Sequence, residues 1–307
     1  MRILLTGGTG LIGRALCQHW QRKGHELWVW SRRPDQVAAL CSGARGVARL
    51  QELDGQPPMD AVVNLAGAPI ADRRWTAARR ELLWRSRVDL TRSLVEWMGN
   101  QPTPPRALLS GSAVGWYGDG GDQPLDENSA ATHPDFGSRL CAAWEQEAEQ
   151  ARQWGVRVAL LRTAPVLAPQ GGVLARLLPP FRLGLGGRLG SGQQWMPWIH
   201  IDDQVALIDH LLQRDECSGV FNACAPQLVR NQEFTQTLAR ALQRPALLPA
   251  PAWALRLALG EMSVLLLGGQ RLSPRRSQAT GFVWRYPTLT PALAQLLDLH
   301  PSSTRPD

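Results

Sequence analysis

Lysine is nearly absent from this 307-residue chain, because Lys23 is its only lysine among 33 lysine and arginine side chains. Tyrosine is almost as rare, and only Tyr117 and Tyr286 are present. Any mechanism that needs an amine side chain must therefore use Lys23. Any mechanism that needs a phenol as a proton donor or acceptor has two candidates.

Long apolar runs and cysteine patterns are also missing. The most apolar stretch, residues 252–269, is interrupted by Arg256 and Glu261, so we expect no membrane span and no membrane partner. The five cysteines show no CxxC or Cys/His spacing, which predicts no metal site. Met1 and Arg2 lead directly into an apolar run, so we expect no signal peptide, reduced thiols and a cytoplasmic protein.

The positive charge of the chain is not concentrated in a nucleic-acid-binding pattern. The formal net charge is +7 and the pI is near 9.9, but the arginines are spread along the chain. The densest group lies on one predicted helix and the segment before it: Arg73, Arg74, Arg79, Arg80, Arg85, Arg87 and Arg92. A solvated helix face and small anionic ligands account for this group, so we expect no nucleic-acid partner.

A glycine-rich turn stands close to the start of the chain. Residues 6–13 read TGGTGLIG, between a short apolar run and a segment with helical spacing of apolar residues. In a strand–turn–helix unit, Gly7 permits the tight turn, Gly10 lets the backbone approach a pyrophosphate, and Gly13 lets the helix pack closely on the strand. The helix N-terminus would add free N–H groups and a partial positive charge. The segment therefore predicts a dinucleotide-binding site.

Short apolar runs alternate with helical patterns along the first two thirds of the chain. The predicted strands are residues 2–6, 26–31, 46–50, 60–66, 107–110, 157–163 and 219–223. This rhythm predicts an α/β fold with a doubly wound parallel Rossmann sheet and a small, mainly helical C-terminal domain on the substrate side. We expect residues 1–165, with 200–225 returning to them, to form the cofactor-binding core. Residues 166–199 and 226–299 would form the second domain, and residues 300–307 a frayed tail.

The segment after the second predicted strand favours NADP(H) over NAD(H). An acidic residue that would bind the adenosine ribose is missing there, and Arg32 and Arg33 stand in its place. Their guanidinium groups can bind a 2′-phosphate through charge-assisted hydrogen bonds. Asp35 follows Pro34 and comes too late to bind the ribose. The alternative, that both arginines are solvated loop residues, stays open.

Several longer phrases carry a resemblance to a known superfamily. With TGGTGLIG, the phrases NLAG at residues 64–67, SGSAVGWYG at 110–118 and PWIHIDD at 197–203 resemble the extended short-chain dehydrogenase/reductases. The phrases NLAGAPIADRRW, LPPFRLGLGGRLGSG and LLGGQRLSPRR resemble one atypical, epimerase-like branch with its own C-terminal domain. The resemblance covers residues 1–297 and implies an NAD(P)-binding epimerase or reductase.

The resemblance also implies a role for each matching position. Residues that would line the pyrophosphate and the adenosine end are Gly7, Gly10, Leu11, Ile12, Ser31 and Arg32. Residues that would contact the cofactor from the neighbouring strands and helix are Leu65, Ala66, Gly67, Arg87 and Ser110 to Ser112. For His200, Asp202 and Asp203 a structural role is favoured over a catalytic one.

Only some of the catalytic residues of the superfamily are present in this sequence. Its members use a serine and, about two dozen residues later, a Tyr-x-x-x-Lys pair for acid–base catalysis. Ser112 fits the serine, but Phe136 and Leu140 occupy the tyrosine and lysine positions. Shifting the alignment by one residue puts Asp135 and Arg139 there instead. Tyr117 is a candidate proton donor or acceptor, and the alternative bases are Asp119, Asp122 and Asp126.

Together these features predict an NADP(H)-dependent epimerase or oxidoreductase of atypical mechanism. It would act as a nucleotide-sugar epimerase or carbonyl oxidoreductase on a hydroxylated, anionic small molecule, and Arg162, Arg182 and Arg188 are candidate phosphate ligands. The rival hypothesis is a non-catalytic NADP(H)-binding sensor or regulatory protein, which the missing Tyr/Lys pair favours. A homo-oligomeric state stays open.

Overall fold

A seven-stranded parallel sheet forms the centre of the computed structural model, which describes residues 1–299. The predicted tail at residues 300–307 lies outside the described residues. The strands are β1 (Arg2–Thr6), β2 (Glu26–Trp30), β3 (Arg45–Val47), β4 (Ala61–Asn64), β5 (Ala107–Ala113), β6 (Pro124–Leu125), β7 (Arg157–Thr163), β8 (Val166–Ala168), β9 (Ile199–His200), β10 (Gly219–Ala223) and β11 (Arg271–Leu272). The order in the large sheet is β10-β7-β5-β4-β1-β2-β3. The predicted doubly wound fold is confirmed. Strands β2 and β3 follow β1 on one side, and β4, β5, β7 and β10 follow on the other, so the topological switch point lies between β1 and β4.

Helices cover both faces of this sheet. The helices of the described chain, including those of the C-terminal region away from the sheet, are α1 (Leu11–Arg22), α2 (Val37–Leu40), α3 (Ala77–Trp84), α4 (Leu90–Gly99), α5 (Phe136–Glu149), α6 (Gly172–Arg182), α7 (Ile201–Leu212), α8 (Asn231–Ala241), α9 (Ala252–Leu259), α10 (Val264–Leu267), α11 (Arg275–Ala279) and α12 (Leu289–Leu296). Ile3 and Leu5 of β1 face the core that includes residues of α1 and α7, and Leu4 faces the core that includes residues of α4. This alternation explains why β1 is apolar on both sides.

The seven predicted strands correspond to the seven strands of the large sheet, with shifted ends, whereas the short strands β6, β8, β9 and β11 were not predicted. The predicted strand 46–50 is observed as Arg45–Val47, because Leu50 begins a 3-10 turn (Leu50–Leu53) that buries Leu50 and Leu53. The run 107–110 continues to Ala113, so Ser112 lies within β5. Since β5 pairs with β7 as far as Ala113 and Thr163, the sequence GSA is part of the sheet.

One long helical segment contains an irregular turn. Thr76 caps α3 by accepting a hydrogen bond from the Arg79 N–H, and α4 ends at Gly99, just before the proline-rich stretch. Between α3 and α4 the segment Arg85–Asp89 adopts a π-helical turn. Turns of this type are frequent at functional sites, and this one carries Arg87.

The C-terminal region is mainly helical, as predicted, and two short parallel strand pairs form separately from the large sheet. β11 pairs with β6, and β9 pairs with β8. A separate apolar core joins α6, α8 and α12 through side chains that include Leu174, Phe234 and Leu293. The predicted domain boundaries stay a prediction. Within residues 1–299, no helix is both long enough and apolar enough to cross a bilayer.

Candidate functional site

The glycine turn between β1 and α1 is so tightly packed that side chains are excluded. Gly7 has φ +71°, and a Cβ atom on it would lie 2.6 Å from the Leu65 carbonyl oxygen. A Cβ atom on Gly13 would lie 2.3 Å from the Gly7 carbonyl oxygen. Gly8 was not predicted individually, and a Cβ atom on it would lie 2.7 Å from the Val29 side chain. The turn is therefore fixed against both β2 and the segment after β4.

The first turn of α1 presents unpaired N–H groups. Gly10 is the N-cap, and within the described residues no side chain caps this end and no acidic residue lies in the first turn. Leu11 and Ile12 are half-buried, and Leu11 packs toward Gly171 and Gly172 at the start of α6. An uncapped helix N-terminus next to a glycine turn favours an anionic ligand.

A buried hydrogen-bond network fixes the carboxyl ends of β1, β4 and β5 to one another. The Thr6 hydroxyl donates to Asn64 Oδ1 over 2.7 Å and accepts from the N–H groups of Leu65 and Ala66. Asn64 Nδ2 donates to Thr91 and, over 3.2 Å, to Ser110. The network positions residues 65–67 over the glycine turn. In it the Ser110 hydroxyl accepts a hydrogen bond from Asn64 inside the protein.

Arg32 and Arg33 lie at the end of β2, beside the glycine turn. β2 pairs with β1 in a register that sets Trp30 opposite Thr6, so the two segments leave the sheet side by side. Both arginines are exposed, and neither guanidinium has a hydrogen bond or ion pair within residues 1–299. The Ser31 hydroxyl accepts from the Arg33 N–H over 3.1 Å, which shapes the loop. Two uncompensated cations therefore stand where a 2′-phosphate was predicted.

Arg87 contributes a third cation without a carboxylate partner in the described part of the chain. Its guanidinium carbon lies 2.7 Å from the place where a Cβ atom on Gly67 would stand, and 5.4 Å from the centre of the Trp144 ring. Burial lowers the pKa of the Arg87 guanidinium. A side chain on residue 67 would therefore move the Arg87 guanidinium out of this position.

Ser112 is joined to a buried ion pair beneath the end of β5. Its hydroxyl donates to Glu145 Oε1 over 2.6 Å. Arg162 binds the same carboxylate through two hydrogen bonds of 2.8 Å and stacks on Trp116 at 3.4 Å. The prediction of Arg162 as a phosphate ligand is therefore wrong, because its guanidinium is engaged inside the protein. Arg182 and Arg188 are exposed and have no ion pair in the described region.

Tyr117 does not occupy a position from which it could serve as the catalytic phenol. Its side chain is fully buried, and its hydroxyl donates to Asn222 Oδ1 over 2.8 Å. Burial raises the pKa of Tyr117 to about 12. A phenol in this environment packs the core between β5 and β10, which corrects the predicted acid–base role.

Replacing Tyr117 by Phe tests that correction. We expect the affinity for NADPH to stay unchanged, because the hydroxyl points into the core. We expect a loss of about 1–3 kcal/mol in the free energy of unfolding, because Asn222 loses a buried partner. Denaturant unfolding and a fluorescence titration measure the two quantities. A large loss of affinity at unchanged stability would restore Tyr117 to the site.

The three alternative bases serve as structural links. Asp119 accepts from the Gly269 N–H over 3.1 Å, Asp122 pairs with Arg230, and Asp126 pairs with Arg275. Trp195 and then Arg230 lower the pKa of the Asp122 carboxyl, and Arg275 lowers that of Asp126. These carboxylates attach the loop after β5 to the C-terminal region. Within residues 1–299 no group of three or more metal-binding side chains is assembled.

Comparisons with known proteins agree with this architecture. The family model described as "NAD dependent epimerase/dehydratase family" matches residues 3–224, and the "Domain of unknown function (DUF1731)" matches residues 250–296. The epimerase family protein SDR39U1 of Mus musculus is 37% identical over 300 residues, which covers 97% of this chain and 100% of the mouse protein. The chain belongs to the NAD dependent epimerase/dehydratase family.

Solved structures show the same fold. The crystal structure of human epimerase family protein SDR39U1 with NADPH superimposes with a TM-score of 0.88 at 36% identity, covering 98% of this chain and 100% of that one. The UDP-glucuronic acid 4-epimerase of Bacillus cereus, in complex with UDP-glucuronic acid and NAD, has a TM-score of 0.77 at 16% identity. It covers 97% of this chain and 98% of the epimerase chain, and at this identity the likeness concerns the fold alone.

This member of the epimerase family has an apolar cluster on α5, where the resemblance implies tyrosine and lysine. Phe136 packs edge-on against Trp75 at 5.2 Å, and Leu140 is buried in the same cluster. Arg139 is exposed. Lys23 follows the far end of α1, about 18 Å along the helix axis from the glycine turn, and binds Asp209 over 2.6 Å. The chain therefore has no Tyr/Lys pair at this position.

The WIHIDD phrase fixes the C-terminal domain to the sheet. His200 is fully buried; its Nδ1 accepts from the Asp202 N–H, and its Nε2–H donates to Gln295 over 2.8 Å. Asp203 accepts from the N–H groups of Arg285 and Tyr286. These contacts support the structural role that was favoured for His200 and Asp203.

His200 predicts a pH dependence of stability. Burial lowers the pKa of His200 in the folded state, so the unfolded chain, with a pKa near 6.5, takes up the proton first as the pH falls. This contribution to stability is present above about pH 6.5 and is lost as the pH falls toward the folded-state pKa. We expect His200→Asn to show a shallower fall in the free energy of unfolding between pH 7 and 5 than the wild type. Identical slopes would contradict this assignment.

Proposed function

We propose that the cleft at the carboxyl ends of β1, β2, β4 and β5 binds NADP(H). The observation that carries the proposal is the glycine turn beneath an uncapped helix N-terminus, with Arg32, Arg33 and Arg87 around it as unpaired cations. Backbone N–H groups of Leu11 and Ile12 would hold the pyrophosphate, and Arg32 and Arg33 the 2′-phosphate. The human relative with NADPH supports this choice of cofactor.

We further propose that the protein is an oxidoreductase or epimerase that transfers hydride to and from a hydroxyl-bearing carbon. NADP(H) supplies the hydride acceptor or donor. Ser112 would take the proton of the substrate hydroxyl on Oγ while its own proton passes to Glu145 Oε1, 2.6 Å away. Arg162 holds the Glu145 carboxylate in place with two hydrogen bonds. Such a relay would need neither tyrosine nor lysine.

A hydroxylated, anionic substrate such as a nucleotide sugar fits the proposal. Arg182 and Arg188 are exposed at the end of α6 and in the following loop, without carboxylate partners among the described residues. They are therefore available for phosphate groups. Five cysteines, all buried and none in a disulfide across residues 1–299, support a reducing compartment such as the cytoplasm.

A non-catalytic NADP(H) sensor is the second candidate function. One observation favours it: Phe136 and Leu140 fill the place of the catalytic pair with apolar packing. A protein that only binds the cofactor needs the glycine turn and the cations. It does not need the proton relay at Ser112.

Deuterium transfer distinguishes the two candidates. The protein is titrated with NADPH. It is then incubated either with NADPH deuterated at nicotinamide C4 and a small dicarbonyl probe, or with NADP+ and UDP-glucose or UDP-glucuronic acid deuterated at sugar C4. Deuterium is followed in the alcohol that forms from the dicarbonyl, and in the nicotinamide and the C4 epimer that form from the sugars. We expect one saturable site and deuterium in a product, with Ser112→Ala retaining binding and losing transfer. Saturable binding without transfer to any probe would favour the sensor. Absence of binding would contradict both.

A further inference from the structure

Exposed large apolar side chains are concentrated in one part of the C-terminal region. Within residues 1–299, seven such side chains are more than half exposed, and six of them lie in the segments 183–185 and 247–257. We call these six the leucine–tryptophan surface: Leu183, Leu185, Leu247, Leu248, Trp253 and Leu257. Their exposed fractions range from 55% to 79%. Exposed apolar residues grouped in this way indicate an interaction surface.

Backbone hydrogen bonds bring the two segments together. The Leu248 N–H donates to the Gly186 carbonyl over 3.1 Å, and the Ala250 N–H donates to the Arg188 carbonyl over 2.9 Å. Trp253 and Leu257 follow on α9, four residues apart, so they lie one above the other on one helix face. The surface is therefore held by the fold and does not depend on a flexible tail.

The unpaired charges around this surface are of one sign, and Glu261, which follows α9, is paired with Arg80. Arg182, Arg188, Arg244 and Arg256 are exposed, and none has an ion pair within the described chain. Residues 150–201 and 234–260 contain no aspartate or glutamate at all. Exposed leucine and tryptophan bordered by unpaired arginine is the composition of segments that lie in the headgroup region of anionic membranes.

Two other occupants fit the surface less well. A second copy of the chain, paired face to face, would bring the four arginines against each other without a carboxylate to compensate them. A peptide groove would shelter its apolar side chains, whereas Leu183, Leu247 and Leu257 are each more than 70% exposed and protrude. Protruding apolar side chains suit a deformable apolar phase such as a lipid layer.

We propose that the leucine–tryptophan surface binds the protein to the surface of a bilayer containing anionic phospholipids. The six apolar side chains enter the headgroup boundary, and Arg244 and Arg256 contact lipid phosphates. The predicted absence of a membrane partner rested on the lack of a spanning segment. Contact with a bilayer surface requires none, so this proposal revises that expectation. It is independent of the NADP(H) site.

Vesicle flotation tests the proposal with the full-length protein. The probes are vesicles of phosphatidylcholine alone and vesicles of phosphatidylcholine with the anionic lipid phosphatidylglycerol. We expect binding to the anionic vesicles and little to the neutral ones. Trp253→Gln with Leu257→Gln should weaken binding roughly ten-fold or more. Arg244→Gln or Arg256→Gln should each weaken it about five-fold, the ratio that corresponds to about 1 kcal/mol.

Matched controls keep the test specific. Val283→Gln alters an apolar side chain that is 83% exposed but lies outside the surface, and Arg49→Gln removes an exposed arginine elsewhere. Both should bind like the wild type, and circular dichroism should show every variant folded. Equal binding by the surface variants, or no vesicle binding by the wild type, would overturn the proposal. Dimerisation of the wild type that Trp253→Gln abolishes would also overturn it, in favour of a second copy.

Discussion

Replacing Glu145 by Leu is expected to lower the free energy of unfolding by about 3–5 kcal/mol. Arg162 is 3% exposed, and its carboxylate partner is Glu145, so the variant leaves a buried guanidinium uncompensated. The Ser112 hydroxyl loses its acceptor at the same time. Denaturant unfolding monitored by circular dichroism measures the change.

Glu147 on the same helix provides the control. It pairs with Arg92, whose side chain is 51% exposed, so Glu147→Leu should change the free energy of unfolding by at most about 1 kcal/mol. Equal effects of the two substitutions would show that the Glu145–Arg162 pair is not the buried anchor of β5, β7 and α5.

Replacing Arg32 by Ala is expected to weaken NADPH binding about 10- to 100-fold. A charge-assisted hydrogen bond to a phosphate is worth about 1.5–3 kcal/mol, and the exposed Arg32 guanidinium has no other partner in the described chain. NADH lacks the 2′-phosphate, so its affinity should change by no more than about two-fold. Titrations with both nucleotides measure the ratio.

The control for Arg32 is a cation away from the cleft. Arg106→Ala removes an exposed arginine that pairs with Asp60 before the amino end of β5, at the opposite edge of the sheet, and it should leave both affinities unchanged. If Arg32→Ala leaves the NADPH to NADH ratio unchanged, the 2′-phosphate assignment is wrong. If both affinities fall together, Arg32 contributes to the fold of the loop instead.

The parallel sheet could be predicted because its signals are local. Each buried strand is a short apolar run, and both faces of β1 are covered, so the run Ile3–Leu5 needed no knowledge of its neighbours. Strand ends were less predictable. Ser112 extends β5 only because Arg162 of β7 stands opposite it, and that pairing joins residues 50 positions apart.

The chemistry at the end of β5 could not be inferred in the same way. Glu145 was not singled out, because its role depends on Ser112 from one element and Arg162 from another. Tyr117 follows Ser112 closely in sequence, but the turn after β5 directs its side chain into the core against Asn222. Gly8 could have been found, since it adjoins Gly7 in the same turn and shares its close packing.

Titration of the wild-type protein with NADPH, and in parallel with NADH, tests the central claim most directly. We expect saturable NADPH binding at one site per chain, with NADH at least about ten-fold weaker because it cannot engage Arg32 and Arg33. Equal affinities would contradict the assignment of the 2′-phosphate. Failure of NADPH to bind at all would contradict the account of the glycine turn as a cofactor site.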